Sequence, residues 1–432
     1  MTLAISEEDS DYMYKIIQDI IDQCGPRMPC SPSEAKCAEI IKDELKKTCD
    51  EVAIETFFCH PRAFLGYIRI IISLIIISLI LVLLIPLNSI YYWEQFIVII
   101  VLILNIFSIL ILWNEFFNYN EFMDPIFKKK QSQNVIGIIH ANQELEKILI
   151  FSGHHDSALQ FNLLKYLKIG YIIIIILGLL IMIFWLILSI IMLLLSLIGV
   201  LSYMFTFFYE VSIWLLIIGS PIMIGLFFFV PFGNKANKVP GAVDNLSAVA
   251  IILALGKILK KNQHFIPPNT EVRLISFGCE EAGLRGAYRY VEDHLNELRK
   301  FNAECINMDA IQSNDNISII DYEPTTRTRH SEVVVQNLIN AAEPLKLSLI
   351  KSGLGGSSSL EKIIGQLTGG TDATAFSKAR IKAATISAMN IKKMLKFYHQ
   401  PSDTLDKIEK GSLENILKIC LTYIKKIKNE ID

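Results

Sequence analysis

Six side chains of the kind that bind metal ions or move protons occur at intervals along this chain of 432 residues. They are two histidines and four carboxylates: His154, Asp244, Glu280, Glu281, Asp309 and His399. Imidazole and carboxylate donors in this ratio suit zinc. A site with two metal ions needs a carboxylate that bridges them, terminal ligands on each ion, and a free carboxylate that takes a proton from water. The adjacent pair Glu280 and Glu281 can fill two of these roles if the side chains point in different directions.

The elements that must position these donors alternate between apolar strands and amphipathic helices. Strands are predicted at "EVAIETFF", "QNVIGII", "KILIFSG", "EVRLISFG" and "AECINMDAI", and a long helix begins at about Asp244. The third strand delivers His154 and Asp156, and the fifth ends at Asp309. Such alternation predicts an α/β fold with a layered sheet. Because ligands of such sheets bind where strands end, we expect the donors to meet there.

One helix start has a clear signature in the segment "SPSEAKCAEIIKDELKKT". Ser31 is the predicted N-cap and Pro32 occupies the first turn. Glu34, three residues after the cap, is expected to close a capping box by bonding back to the backbone N–H of Ser31.

Apolar residues make up 52% of the chain, and most of the excess is local. Residues 70–86, 96–113 and nearly all of 169–233 are apolar enough to cross a bilayer, which takes roughly 20 such residues per helix. Between Lys168 and Lys235 only Glu210 is charged. The chain is therefore predicted to be a multi-pass integral membrane protein whose partner is the lipid bilayer.

The donors limit how the chain can cross the membrane. His154 and Asp244 flank the longest apolar region and must meet at one site, so this region should cross an even number of times. Two long tilted helices with a bend near residues 199–212 fit best, and a second hairpin is expected earlier. The expected organisation has five parts: 1–63 as the N-terminal part of a catalytic domain, 64–115 as a transmembrane hairpin, 116–164 with the first ligand strand, 165–234 as a second hairpin, and 235–432 with the remaining donors.

The distribution of basic residues predicts the orientation. The bends near "LNSIYYWEQ" and around Glu210 carry no lysine or arginine. Basic residues occur instead on the other flanks: Arg62, Arg69, Lys128, Lys129, Lys130, Lys165, Lys168, Lys235 and Lys238. The positive-inside rule then places the catalytic domain in the cytoplasm. Eight cysteines without a CxxC pair, and an acidic rather than signal-like start, agree with this expectation.

The formal net charge of −2 gives no electrostatic basis for binding nucleic acid. The sequence indicates no particular oligomeric state.

Seven blocks of the sequence together resemble the M28 family of co-catalytic zinc peptidases, which includes aminopeptidases. They occur in the family's order: "GPR", "NVIGII", "GHHDS", "PGAVDNLSAVA", "SFGCEEAGLRGA", "NMDAI" and "YHQPSDTLD". The resemblance implies a three-layer α/β/α zinc-peptidase fold with a mostly parallel mixed sheet, here with four inserted transmembrane helices. It also implies two zinc ions and a peptide substrate, most simply for an aminopeptidase.

The resemblance assigns a role to each matching position. It implies His154 and Asp309 as ligands of one zinc ion, Glu281 and His399 as ligands of the other, Asp244 as the bridge, Glu280 as the general base, and Asp156 as the carboxylate that orients the His154 imidazole. One block departs from the family: in "GGTDATAF" Ala373 stands where a histidine is common, so the role of Asp372 stays open.

Three other functions are compatible with the sequence. A catalytically inactive membrane scaffold would show lost ligands, but every ligand position is filled. A transporter would need polar groups at membrane depth, and these spans offer little beyond Arg69 and Glu210. The family also includes glutaminyl cyclases, zinc acyltransferases with a similar site, which metal stoichiometry and substrate profiling would distinguish.

Overall fold

The computed structural model describes residues 5–85, 91–351 and 369–431. The described residues divide into two compact units. The first lies within 1–61, 128–160 and 237–432, and the second within 62–127 and 161–236. Residues 86–90, part of the predicted bend "LNSIYYWEQ", lie outside the described residues.

The first unit is built on an eight-stranded mixed sheet with the order β1-β2-β4-β3-β5-β10-β6-β9, and a separate two-stranded sheet is formed by β7 and β8. The strands are β1 (Glu51–Cys59), β2 (Lys130–Ile139), β3 (Lys147–His154), β4 (Thr270–Phe277), β5 (Glu304–Ile311), β6 (Ile317–Ile320), β7 (Tyr322–Glu323), β8 (Thr328–Arg329), β9 (Leu349–Lys351) and β10 (Lys382–Ala388). The central strands β4, β3, β5 and β10 run parallel to one another. The predicted α/β class and mostly parallel mixed sheet are confirmed.

Helices cover both faces of this sheet. Those in the first unit are α1 (Glu7–Cys24), α2 (Pro32–Leu45), α8 (Ser247–Lys261), α9 (Arg285–Lys300), α10 (Glu332–Ala342), α11 (Ala373–Lys378), α12 (Ile391–Met394) and α13 (Ser412–Ile431). Successive strand residues face opposite cores, as the strand period requires. Leu149 and Phe151 pack in the core with α1, α2, α8, α10 and α13, whereas Ile148 and Ile150 pack with α9 and α11. Three layers result.

The helix predicted from Asp244 begins three residues later, at Ser247. Asp244 and Asn245 have non-helical backbone angles, and the peptide bond between them is cis. Asp244 therefore lies in a turn ahead of the helix, with its side chain available to the strand ends.

The predicted capping box at α2 is only half correct. Ser31 Oγ accepts a hydrogen bond from Glu34 N at 3.1 Å, as an N-cap should. The Glu34 carboxylate does not return this bond to Ser31. It is fully buried and accepts hydrogen bonds from Cys30 N, Cys279 N and Ser132 Oγ instead. The N–H of Ser31 donates to Met28 O at 3.1 Å, so both groups have partners without the predicted bond.

The second unit consists mainly of four long apolar helices. They are α3 (Ala63–Leu83), α4 (Tyr91–Leu112), α6 (Gly170–Leu197) and α7 (Leu201–Phe227), with the short α5 (Asn162–Leu167) before α6. A buried hydrogen bond of 2.8 Å from Trp185 Nε1 to Ser78 Oγ joins α6 to α3. This is a favourable way to satisfy two polar groups in an apolar bundle.

Among the residues that the structure describes, five helices are long and apolar enough to cross a membrane, judged by length and composition. Four of them lie in the second unit. The fifth, Ala242–Lys261, is 94% buried among protein atoms, which is the environment of a core helix.

The bend predicted near residues 199–212 overlaps the observed connection but extends too far toward the C-terminus. The connection between α6 and α7 lies at residues 198–200, and Glu210 falls within α7. The cause is Gly199, whose φ of +72° ends the helix at a point where other residues would be strained.

Candidate metal centre

Asp244 lies between the two histidines of the predicted site. Its Oδ1 atom is 3.2 Å from His154 Nε2, and its Oδ2 atom is 3.4 Å from His399 Nε2. The three side chains come from the end of β3, the turn before α8 and the loop after α12. A carboxylate that faces a different imidazole with each oxygen has the arrangement needed to bridge two cations.

Glu280 and Glu281 form a short helical turn after β4 and point to different sides of the site. Glu280 Oε2 lies 3.7 Å from His154 Nε2, and Glu281 Oε1 lies 3.5 Å from His399 Nε2. Two sets of ligand atoms lie within 4.8 Å of one another: His154 with Asp244 and Glu281, and His154 with Glu280 and Asp309. Both glutamates are thus within reach of a cation, and the division of ligand and base between them remains a prediction.

The charges of the site strongly perturb its protonation. Desolvation and then Asp244 raise the pKa of Asp309 to about 7. Desolvation also raises the pKa of Glu280, which His154 partly opposes and Glu281 reinforces. Burial alone would lower the pKa of His154, but Glu280, Asp156 and Asp244 hold it well above its usual range. The cluster therefore retains protons because its negative charges lack compensation.

The donor set fits divalent cations. Within the described part of the chain, no group donates a hydrogen bond to Glu281 Oε1 or to either oxygen of the buried Asp372. Buried carboxylate oxygens without donors are rare and usually mark an ion or water that completes them. Two imidazoles with several carboxylates are donors that zinc accepts.

Asp156 does more than the orienting role suggested by the sequence. Its Oδ1 atom is 3.5 Å from His154 Nδ1, and its main-chain oxygen is 3.2 Å from the same nitrogen. Its two carboxylate oxygens also accept hydrogen bonds from Glu280 N at 3.1 Å and Glu281 N at 3.0 Å. Asp156 thus connects the end of β3 to the turn that carries both glutamates.

A second buried carboxylate, Asp403, holds the turn that carries Asp244. It accepts hydrogen bonds from Val243 N at 2.8 Å and Asp244 N at 3.2 Å. Asp403 is four residues after His399, so the loop that supplies one histidine also fixes the carboxylate that faces it.

The position of Asp309 depends on a bulge and on one amide side chain. The pairing of β5 with β10 shifts register after Asp309, and Ala310 has a φ of +55°. Asn245 donates from Nδ2 to Met308 O at 3.0 Å and accepts from Ala310 N at Oδ1 at 3.2 Å. Bulges of this kind redirect a strand next to a functional site.

Arg27, from the "GPR" block, is fully buried and connects the segment after β3 with the turn before Asp244. Its guanidinium donates to four main-chain oxygens, those of Gly25, His155, Pro240 and Gly241. The segment after α1 is thereby attached both to the residue following His154 and to the turn preceding Asp244.

Two further polar residues lie beside the site. His155 has Nδ1 3.0 Å from Ser276 Oγ, and burial lowers its pKa to about 4. Asp372, whose role the sequence left open, is fully buried at the start of α11, and its charge is felt by Glu280. It therefore belongs to the same electrostatic cluster, although Ala373 replaces the histidine common in the family.

Sequence reasoning missed the supporting roles of Arg27, Glu34, Asn245 and Asp403. Three of them stand in blocks that were recognised for their neighbours: "GPR", "GAVDN" and "YHQPSDTLD". The available signal was a polar or charged residue within a recognised block, because such a residue must find hydrogen-bond partners when it is buried.

Parts of this chain are similar in sequence to known peptidases. Residues 230–424 match the family model described as peptidase family M28. Aminopeptidase YwaD of Bacillus subtilis (strain 168) is 29% identical over 178 residues, which span 40% of this chain and 35% of that protein. This chain thus matches only about a third of the relative's length.

Solved structures show the same fold. The zinc aminopeptidase BSAP from Bacillus subtilis aligns with a TM-score of 0.53 and 16% identity, covering 97% of this chain and 95% of that one. A glutaminyl cyclase from an Acidobacteriales bacterium aligns with a TM-score of 0.54 and 13% identity, covering 100% and 98%. The chain thus has the fold of these structures, and its residues 230–424 resemble peptidase family M28.

The raised pKa of Asp309 predicts how the metal-free chain responds to pH. The pKa of Asp309 rises from 3.8 to about 7 on folding. Between these two pH values the folded state therefore holds a proton that the unfolded state has released. The stability from this group is present below pH 3.8 and lost as the pH rises to about 7. In a chain stripped with a chelator, the unfolding midpoint should fall between about pH 5 and pH 8 by more in the wild type than in Asp309→Asn. Equal falls would contradict this prediction.

Replacing Asp403 should weaken metal binding without touching a ligand. Asn at this position can accept one of the two N–H groups, but its own NH₂ group then faces the other donor. We expect Asp403→Asn to lower zinc affinity by about 10- to 100-fold, measured by competition with a chromophoric chelator. Asp406→Asn is the matched control, because Asp406 is exposed and its carboxylate bonds to the side chains of Thr404 and Lys407, away from the Asp244 turn. Equal affinities in the two variants would show that Asp403 does not position the site.

Proposed function

We propose that this chain is a membrane-anchored di-zinc aminopeptidase. The observation that carries the proposal is the position of Asp244, whose two oxygens each face a different imidazole, with one glutamate near each histidine. In this proposal His154 and Asp309 hold one zinc ion, Glu281 and His399 hold the other, and Asp244 is shared.

Two zinc ions in this position would supply Lewis acidity for the substrate carbonyl and make water a better nucleophile at neutral pH. The chain's own contribution is to hold the ligands and to move the proton. Asp156 fixes the turn of Glu280 and Glu281 through their backbone N–H groups. Asp403 does the same for Asp244, so the ligands are in place before substrate binds.

Glu280 is the proposed general base. Its pKa is raised by desolvation and by Glu281, as expected for a carboxyl group that must gain and lose a proton near neutral pH. It would take a proton from the attacking water and pass it to the leaving amine.

Hydrolysis of peptides is favoured over the cyclase reaction by the similar proteins. The match to an aminopeptidase extends over 178 residues at 29% identity, whereas the likeness to a glutaminyl cyclase is one of fold at 13% identity. A scaffold without activity is disfavoured, because none of the six donors is missing.

The membrane anchor is proposed from the four helices of the second unit. Their apolar windows have mean hydropathies of 1.9 to 3.2 and are 22–39% buried within the protein. Side chains such as Leu180, Ile217 and Ile218 are more than half exposed. Helices that are apolar and exposed on this scale need lipid or another apolar cover. The basic flanks favour a catalytic unit facing the cytoplasm.

Changing Glu280 and Asp244 to their amides should affect activity and zinc content in different ways. Glu280→Gln keeps the shape and removes the base, so zinc content and KM should change little while kcat falls by roughly 10²- to 10⁴-fold. Asp244→Asn weakens the ligand that both ions share and should lose zinc together with activity. The assay is release of the first residue from peptides with free and with acetylated N-termini, alongside metal analysis.

Only the free peptides should be cleaved by the wild type. If Glu280→Gln kept normal turnover, or emptied the site as Asp244→Asn does, the proposed division of roles would be wrong. One zinc ion per fully active chain, with cyclisation of N-terminal glutamine, would favour the cyclase alternative.

Four crossings place the bends of the two hairpins on one side of the membrane and the catalytic unit on the other. Single cysteines at Leu84 and Gly199, in a chain lacking Cys24 and Cys30, should react with an impermeant thiol reagent from outside intact cells. A cysteine at Lys130 or Lys410 should react only after permeabilisation. Reaction of all four from the same side would exclude the hairpin arrangement.

A further inference from the structure

Three cysteines from distant parts of the chain meet beside the turn that carries Glu280. Cys30 lies in the loop between α1 and α2, Cys59 ends β1, and Cys279 follows β4. The three Sγ atoms are 3.1 Å apart for Cys59 and Cys279, and 3.3 Å apart for each pair that includes Cys30. We propose that this three-thiol cluster is a second metal site, separate from the carboxylate and histidine centre, which binds one thiophilic ion such as Zn²⁺ through three thiolates.

The equal spacing of the sulfur atoms argues for a shared ion. A disulfide joins two sulfur atoms at about 2.05 Å and leaves the third unused. In this cluster the three distances differ by only 0.2 Å, and none of the eight cysteines, all of which the structure describes, forms a disulfide. An ion placed over the triangle uses all three sulfur atoms at once, with Zn–S distances of about 2.3 Å.

The surroundings hold the sulfur atoms in place. Glu34 Oε2 accepts from Cys30 N at 2.7 Å, and Glu34 Oε1 accepts from Cys279 N at 3.0 Å. One buried carboxylate therefore fixes two of the three ligand backbones, a form of support typical of metal sites. Cys279 has a φ of +56°, which is uncommon for a residue with a side chain.

The cluster is closed on most sides but has one accessible edge. Cys59 and Cys279 are buried together with Phe57 and Ala282, whereas Cys30 is partly exposed. An ion can enter past Cys30, and the fourth position of a tetrahedral site would open in that direction. Binding converts three thiols to thiolates and releases three protons to solvent.

Such an ion would stabilise the turn before the catalytic carboxylates. It would join the loop before α2, the end of β1 and the residue that precedes Glu280. The expected role is structural, since the ion would join three distant segments of the chain at a point outside the carboxylate and histidine centre.

Cobalt distinguishes this site from the neighbouring centre. Thiolate ligands give Co²⁺ an intense sulfur-to-cobalt charge-transfer absorption in the near ultraviolet, which carboxylate and imidazole ligands do not. The full-length chain, stripped of metal and kept reduced, is titrated with Co²⁺. We expect the absorption to grow and to saturate at one thiolate-bound ion per chain, in the wild type and in Asp244→Asn alike.

Cysteine variants then locate the ligands. Cys59→Ser should abolish or strongly weaken the absorption, whereas Cys49→Ser, at a buried cysteine outside the cluster, should retain it. Circular dichroism shows whether each variant is folded, and the wild-type titration decides independently of them. No charge-transfer absorption in the wild type, an unchanged one in Cys59→Ser, or a metal-free disulfide within the cluster would each overturn the proposal. The outcome does not depend on peptidase activity, so it can fail while the proposed function stands.

Discussion

Negative charge gathered in a small, poorly hydrated volume is the constraint that shapes the first unit. Burial first, and then the proximity of neighbouring carboxylates, raises the pKa of Glu280, Glu281 and Asp309. The exception is Asp244: burial would raise its pKa, but the two imidazoles hold it below its usual range. Neighbouring carboxylates in an apolar interior are stable only with cations or directed donors nearby. The site therefore favours positive charge, which bound metal ions would supply.

In the surrounding loops, main-chain N–H groups donate hydrogen bonds to further buried carboxyl groups. Three further buried carboxylates each accept two such groups: Asp156 from Glu280 and Glu281, Asp403 from Val243 and Asp244, and Glu34 from Cys30 and Cys279. Each carboxylate holds one loop that carries functional side chains. Burial raises the pKa of Glu34 and raises that of Asp403 to about 8. The loops are therefore fixed by hydrogen bonds to buried carboxyl groups as well as by apolar packing, and this keeps ligands from distant segments in register.

Local pattern was enough to predict the strands and the donors. The apolar runs that end near His154, Glu280 and Asp309 became β3, β4 and β5 within two residues of the expected ends. Family order, more than spacing, pointed to His399, which no strand precedes. The helix after Asp244 was also expected, but its start was placed too early, because the turn geometry at Asp244 and Asn245 has no signature in residue type.

What the sequence did not reveal depends on contacts between distant segments. Glu34 fits a capping box, yet burial gives its carboxylate better donors far away in the chain. Cys30, Cys59 and Cys279 are too widely separated to suggest a cluster. The bend between the two long helices was expected near residues 199–212, but Gly199 sets it at the start of this range and Glu210 lies within α7. In each case a local preference was outweighed by an interaction or backbone angle that only the folded chain defines.

Both apolar insertions leave and re-enter the first unit at neighbouring points. Cys59 and Lys130 are partners in the antiparallel pair of β1 and β2, so the first insertion occupies a hairpin connection. Around the second insertion, Ser157 and Gly241 both bond to Arg27, and a Cβ atom added to Gly241 would lie 2.8 Å from Ser157 Cβ. Because the two ends of each insertion are adjacent, the order of the strands does not depend on the length of the insertion. In evolution, either apolar segment can therefore be gained, lengthened or deleted without a change in the eight-stranded sheet.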